Sequence, residues 1–433
     1  MLTLKGKPTA DQLTDQAMDV LQKNDRGGYC VPTAGLYPFQ WNWDSALTSL
    51  GWARFNRTRA LQELDALFSG QWPDGMIPHI LFHQNDPGYF PGPDQWGCGA
   101  AVPSSGITQP PVIGFALSQL GRDLAEKTEL ATRYAEKLHR WHRWWADARD
   151  PEETGLVAIL HPWESGRDNS AEWDSPLEAV TPLDTDLTDQ RRDLDHVDAD
   201  QRPSGLEYRR YMALVRLFRD RGYQPDKLWS DTPFRVADIG INALLIHDMR
   251  CLADLLEQTG LYPEIRRWTS DRIEQMTDAF RHLHSNETGL HHSRDTLTGE
   301  LLPYPVNACW LALLADLPAV QVDHLLTRAE EIVTHARFSM PSLDPAHDSY
   351  EHQRYWRGPV WAIVNRLLSV AFARHGTRGE KLAARLRQDT AEMIQDGGFA
   401  EYFCPETGAA LGGQNFTWTA AMWLDWKLDL VVE

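Results

Sequence analysis

The sequence predicts an all-α protein built as an (α/α)₆ barrel, with a lid-like segment inserted between inner helices. Three observations predict it. Segments that are small or apolar nearly all round, as buried helices are, begin near Asp44, Gln109, Ile239, Ala308, Pro359 and Thr419. Amphipathic segments with a single apolar stripe alternate with them. Stretches with the period-two alternation of a half-buried strand are few. Six inner and six outer helices, each inner one entered by a polar and aromatic loop, favour a closed double ring over a bundle or solenoid.

Taken in order, residues 10–23 form a first helix with Leu13, Met18, Val20 and Leu21 among polar residues. Residues 45–53 read as a buried helix. Residues 57–68 are amphipathic, with Leu61, Leu64, Leu67 and Phe68 on one stripe and Arg57, Arg59, Glu63 and Asp65 off it. Further outer helices are expected over roughly 127–147, 262–283, 320–335 and 378–393. Spacing between inner starts is fairly even except for one wide gap, which holds an insertion at 150–234 of loop and short-helix character. The chain is therefore read as one catalytic domain, 1–433, with that insertion as a cap over the barrel mouth. The acidic run Asp184–Asp200 inside it reads as a solvated segment. It lacks the Gly turn and terminal Glu of an EF-hand loop.

Composition narrows the function. A formal charge of −19 over 433 residues argues against a non-specific grip on nucleic acid, which needs clustered Lys and Arg. Five cysteines, Cys30, Cys98, Cys251, Cys309 and Cys404, are widely spaced, odd in number and without a CxxC pair, so neither a disulfide framework nor a zinc ribbon is expected. No run of about 18 apolar residues suggests a membrane span. The N-terminal residues carry no long apolar stretch of a secretory signal, and a cytoplasmic location is expected. No HExxH pattern or nucleotide fingerprint occurs, and His282, His284, His291 and His292 read as a polar surface turn. No metal and no cofactor are expected. Oligomeric state stays open, a homo-oligomer included, because an exposed helix face and an interface helix look alike in sequence.

The 18 Trp outnumber the 12 Tyr and the 14 Phe. Core packing is the plainer account of any single Trp. The Trp that cluster in polar, Gly- and Pro-rich loops suit the apolar faces and hydroxyls of a sugar ring instead. Those loops, at 37–44, 72–79, 88–96, 105–111, 355–361 and 397–418 together with the insertion, all lead into inner helices and so converge at one barrel end. Glycoside hydrolysis needs two carboxyl groups on opposite sides of the sugar. The converging loops offer Asp44, Asp74, Asp94, Glu164, Asp168, Asp174, Glu401 and Glu406. Two stretches stand out, HPWESGRDNS (161–170) with two carboxylates beside a Trp and a flexible Ser-Gly, and GGFAEYF (397–403) with one carboxylate among glycines and aromatics. Residue types alone do not rank the pairs. Asp44 also suits a helix N-cap, and Glu164 suits a loop anchor.

LYPFQWNWDSA (36–46), QWPDGMIPHI (71–80), GYFPGP (88–93), SGITQPPV (105–112), HPWESGRDNSAEWDS (161–175), QRPSGLEY (201–208), YWRGPVW (355–361), FAEYF (399–403) and FTWTAAMWLDW (416–426) together resemble glycoside hydrolase family 63. The likeness runs over nearly the whole length and is strongest to its short bacterial members, the glucosylglycerate and mannosylglycerate hydrolases. The resemblance implies an inverting α-glycosidase with Asp168 as general acid and Glu401 as general base, their carboxyl groups roughly 6.5–9.5 Å apart. Asp168 must then stay protonated near neutral pH, through burial or a neighbouring carboxylate such as Glu164. It further implies a sugar bound among Tyr37, Trp41, Trp43, Asp44, Gln109, Trp163, Trp356 and Trp361. Arg202 and Tyr208 match the residues that take a glycerate carboxylate, with Tyr89 and Tyr355 close by. The implied substrate is a small α-glycoside with a carboxylate-bearing aglycone. A neutral α-glucoside or short oligosaccharide is the alternative, one that would leave Arg202 unpaired.

Overall fold

A computed structural model describes residues 7–428; the two ends of the expected 1–433 domain lie outside the described residues. The first helix, α1 (Ala10–Asn24), starts on Thr9, whose hydroxyl accepts the Gln12 amide while the Gln12 side chain accepts the Thr9 amide. This reciprocal cap satisfies two otherwise orphaned donors. Next come α2 (Asn42–Trp52), α3 (Arg57–Ser69), α4 (Ile113–Leu120) and α5 (Leu124–Arg149). Within the insertion lies α6 (Gly205–Asp220). Beyond it are α7 (Ile239–Thr259), α8 (Pro263–Phe280), α9 (Ala319–His335), α10 (Ala362–Ala373), α11 (Gly376–Gly397) and α12 (Thr417–Trp426).

The inner ring closes on itself. Helix α2 packs on α4, α4 on α7, and α7 on a 3₁₀ helix over Asn307–Leu314; that segment packs on α10, α10 on α12, and α12 back on α2. Every residue of α2 and of the 3₁₀ helix is buried, which is why these segments lack a polar stripe. Outside them lie α1, α3, α5, α8, α9 and α11, each with a narrow buried face; α9 buries only Leu325, Leu326, Ala329 and Ile332. The expected twelve-helix double ring is present.

Three local expectations are corrected. The fourth inner helix is 3₁₀ rather than α. The second begins at Ile113 rather than near Gln109, because Pro110 and Pro111 hold the chain extended before it. The insertion is more ordered than loops and short helices: α6 runs for 16 residues behind a reciprocal cap between Ser204 and Glu207. That S-x-x-E signal is legible in the sequence.

Short antiparallel strands knit the loops at the barrel mouth. One sheet pairs Gln40 with Leu81 and Trp41 with Ile80, and a two-stranded ribbon pairs Tyr402 with Leu411. The histidine group is a surface turn only in part: His282 is exposed, but His291 and His292 are buried and the His284 ring stacks on His324. Among the described residues, no helix is long and apolar enough to cross a membrane, and no three His, Cys, Asp or Glu converge as metal ligands would.

Candidate active site

The loops entering the inner helices meet over a cavity of about 930 Å³, mouth included. Both stretches singled out by their carboxylates reach it. Asp168 follows a 3₁₀ turn over Pro162–Ser165 and the left-handed Gly166 (φ 68°). A Cβ on Gly166 would stand 2.9 Å from the Trp43 ring and 3.0 Å from Pro110, so only glycine lets this loop lie against the cavity floor. Next to it, Arg167 turns inward to ion-pair with Glu172 and, at 2.8 Å, with Asp238. The Trp173 indole donates to the Arg167 carbonyl at 2.8 Å, and the Tyr211 hydroxyl of α6 donates to the Asp168 carbonyl at 2.9 Å. With its backbone held from both sides, Asp168 presents its carboxyl to the cavity.

The environment of Asp168 favours the neutral acid. Burial pushes its carboxyl up to about 7; Arg202 pulls the other way, Glu401 adds to the rise, and Tyr355 opposes it. The side chain is half-buried only because it faces the cavity; protein surrounds it on every other side. Glu164 is not the cause. It is fully buried, accepts Arg149 Nη2 at 2.6 Å and the Leu160 amide at 2.8 Å, and so anchors the loop. Asp44 also holds its proton more tightly than usual, through burial first and the charges of Glu401 and Asp168 after it. It lies in the first turn of α2, where Trp41 is the capping residue, so Asp44 is not an N-cap.

Glu401 is 1% exposed and stands just before the Tyr402–Phe403 strand. Its amide donates to the Gly413 carbonyl at 2.7 Å, while the Gly413 amide donates to Glu401 Oε2 at 2.8 Å. Tyr37 donates its hydroxyl to Oε1 at 3.1 Å, and Arg202 Nη1 approaches the same oxygen at 3.4 Å. The carboxylate is thereby fixed in place, with donors that do not titrate near neutral pH.

Of the fourteen residues assigned to the site, all but one line the cavity. The exception is Trp361, which stacks behind Trp356 and supports it without facing a ligand. Gln109 lines the wall and also accepts the Trp43 amide at 3.2 Å. The other carboxylates serve elsewhere: Asp74 accepts the Met76 amide, Asp174 pairs with Arg357, and Asp94 and Glu406 are exposed. Twelve further residues line it without having been assigned to the site, among them His79, Phe90, Arg192, Asp193, Phe416 and Trp418. Asp193 corrects the reading of its acidic run. Its neighbours Asp184, Asp186, Asp189, Asp195, Asp198 and Asp200 are exposed. Asp193 instead pairs with Arg191 at 2.7 Å and meets Arg202 at 3.3 Å. The Arg flanking it were the available signal, since an acidic residue beside Arg191 and Arg192 has partners at hand. Arg202 itself is paired without any ligand, so a neutral aglycone would not strand it, contrary to the sequence argument.

A closed (α/α)₆ ring with an aromatic cavity and inward-facing carboxyl groups has the parts a glycoside hydrolase needs. A family model for the mannosylglycerate hydrolase MGH1-like glycoside hydrolase domain matches residues 37–419. The chain is 44% identical over 423 residues to mannosylglycerate hydrolase MGH1 of Selaginella moellendorffii, covering 96% of this chain and 85% of that one. It is 35% identical over 448 residues to glucosylglycerate hydrolase of Mycolicibacterium hassiacum, covering 96% and 98%. The solved structure of family 63 mannosylglycerate hydrolase from Thermus thermophilus, in complex with Tris and D-glycerate, matches with a TM-score of 0.91 and 40% identity, covering 96% of this chain and 100% of that one. The chain belongs to the MGH1-like glycoside hydrolases of family 63.

Proposed function

We propose that the chain hydrolyses mannosylglycerate, glucosylglycerate or both to hexose and glycerate, with inversion at the anomeric carbon. Asp168 gives its proton to the glycosidic oxygen as the bond to the sugar breaks. Glu401 takes a proton from a water that attacks the anomeric carbon from the opposite face. The products are the free hexose, the aglycone alcohol, an ionised Asp168 and a protonated Glu401, and proton exchange with solvent resets the pair. The observation that carries this reading is the unequal setting of two carboxyl groups in one cavity. Asp168 is poised near 7 by burial, while Glu401 is held by the Gly413 amide, Tyr37 and Arg202. A carboxyl that keeps its proton marks the acid of such a pair.

Arg202 supports the glycerate aglycone. Its guanidinium carbon lies 4.5 Å from the centre of the Tyr355 ring, and it is a buried cation lining the cavity of a chain whose net charge is −19. Glycerate bound in the Thermus thermophilus relative points the same way. Five unpaired cysteines fit a reducing, cytoplasmic setting. The test is hexose release from both glycerate glycosides and from a neutral α-glucoside such as kojibiose. Preference for the charged substrates, with the β-anomer as first product by NMR, supports the reading. Preference for kojibiose makes this a neutral α-glucosidase, a reading favoured only by the ligand-free pairing of Arg202.

A further inference from the structure

Two arginines of the insertion, Arg192 and Arg202, line the cavity, with Arg191 close behind Asp193, and the three are not equally occupied. Arg191 grips Asp193 with two nitrogens, at 2.7 and 3.2 Å, and Arg192 grips Asp86 at 2.9 and 3.0 Å. Arg202 reaches carboxylates only at 3.3 Å, to Asp193 Oδ2, and at 3.4 Å, to Glu401 Oε1. Both contacts are longer than the roughly 2.7–2.9 Å of a well-formed charge-assisted bond. Its close contact is the neutral Tyr37 hydroxyl, which itself donates to Glu401. Arg202 therefore has capacity for a further anion, and shares its field with the group that must accept a proton.

That sharing has a cost for catalysis. When Glu401 takes a proton from water it loses its negative charge, and a cation 3.4 Å away opposes the loss, strongly so in a site of low polarity. The same cation favours the charge that Asp168 gains, but it stands within ion-pair distance of Glu401 and not of Asp168, so the opposition at Glu401 is the larger effect. An anion placed on the same guanidinium offsets this opposition. We propose that Arg202 couples the charge of the aglycone to Glu401: a carboxylate on the aglycone draws the guanidinium's field and makes Glu401 the better proton acceptor. The substrate's charge then acts in the transition state, where it raises kcat, and not only in binding. The coupling rests on the glycerate reading above and adds to it that specificity is expressed in the chemical step.

The test compares a hexosyl glycerate with the same hexoside of glycerol, in which CH₂OH replaces the carboxylate, on wild type and Arg202→Gln. In the wild type kcat for the charged substrate exceeds that for the neutral one by about tenfold or more. In Arg202→Gln the ratio falls to the intrinsic difference between the two leaving groups. A ratio of kcat values that is the same in both enzymes, with the preference confined to KM, overturns the coupling. Asp193→Asn serves as a second variant because it keeps the guanidinium and removes its other carboxylate. Its kcat falls further on the glycerol substrate than on the glycerate substrate, so the ratio of the two rises above that of the wild type; an equal loss on both overturns the proposal. A wild type that releases no hexose from either glycerate glycoside fails the functional reading, whereas one that does so without a kcat difference fails the coupling alone.

Discussion

Trp356 and Trp361 stack face to face, with ring centroids 3.8 Å apart and planes within 2° of parallel, and only Trp356 touches the cavity. Trp361 fixes the angle at which its neighbour meets a ligand. Replacing Trp361 with Phe should therefore raise KM several-fold with little change in kcat, and cost about 1–3 kcal/mol of stability through lost packing. Steady-state kinetics beside thermal melts check both effects. An unchanged KM would reduce Trp361 to a core residue.

Asp168→Asn removes the proton donor and leaves its hydrogen-bonded loop intact. Turnover should drop by about 10²–10⁴-fold, while calorimetry still detects substrate binding. Unaltered turnover would end the assignment of Asp168 as the acid.

The pH dependence follows from the same residue. The donor is competent only while protonated, and Asp168 holds its proton up to about 7. kcat/KM should fall on the alkaline side with a midpoint near that pH, tenfold for each further unit. Stability has a matching sign. The folded state binds the Asp168 proton more tightly than the unfolded chain, whose ordinary value is 3.8. Its contribution is complete below about 4 and is lost as pH rises to about 7. Asp168→Asn should thus melt higher than wild type at pH 8, by about 1–2 kcal/mol after allowing for its exposure to the cavity. A variant that melts lower at pH 8 contradicts the buried-acid account.

Gly412 sets the position of Glu401. Its φ is 68°, and a Cβ there would lie 2.5 Å from Glu401 Oε2 and 2.5 Å from the Tyr402 ring. Gly412→Ala should displace the carboxylate and lower kcat/KM by about 10²-fold or more, in a protein that still folds. Wild-type activity in this variant would mean that the base tolerates displacement.

Glu164 gives the contrasting case, a carboxylate within four residues of Asp168 that works for the fold. Glu164→Ala leaves Arg149 buried without its partner, which should cost about 3–5 kcal/mol in chemical denaturation. The alkaline midpoint of whatever activity remains should stay near that of the wild type. A large shift would restore Glu164 as a tuner of Asp168.

Much of this was legible in the sequence. Helices apolar all round, such as 42–52, have no solvent face in any arrangement, so their burial is written in their composition. Caps such as Thr9 with Gln12 and Ser204 with Glu207 are local chemistry and equally readable. Asp193 was legible only in part: the neighbouring Arg191 and Arg192 hinted at a paired carboxylate, but its contact with Arg202 appears only once the insertion folds. His291 and His292 misled for the same reason: a polar residue type does not reveal whether the packing around it is apolar.

The sequence by itself determined the double ring, the convergence of aromatic loops at one end and the two stretches that carry Asp168 and Glu401, since periodicity and residue chemistry are local properties. Only the tertiary structure decided that burial rather than Glu164 raises the Asp168 carboxyl, that Trp361 stands behind Trp356, and that Arg202 is shared with Glu401. Those depend on distances and burial between residues as far apart in the chain as 202 and 401, and electrostatics acts through space rather than along the chain.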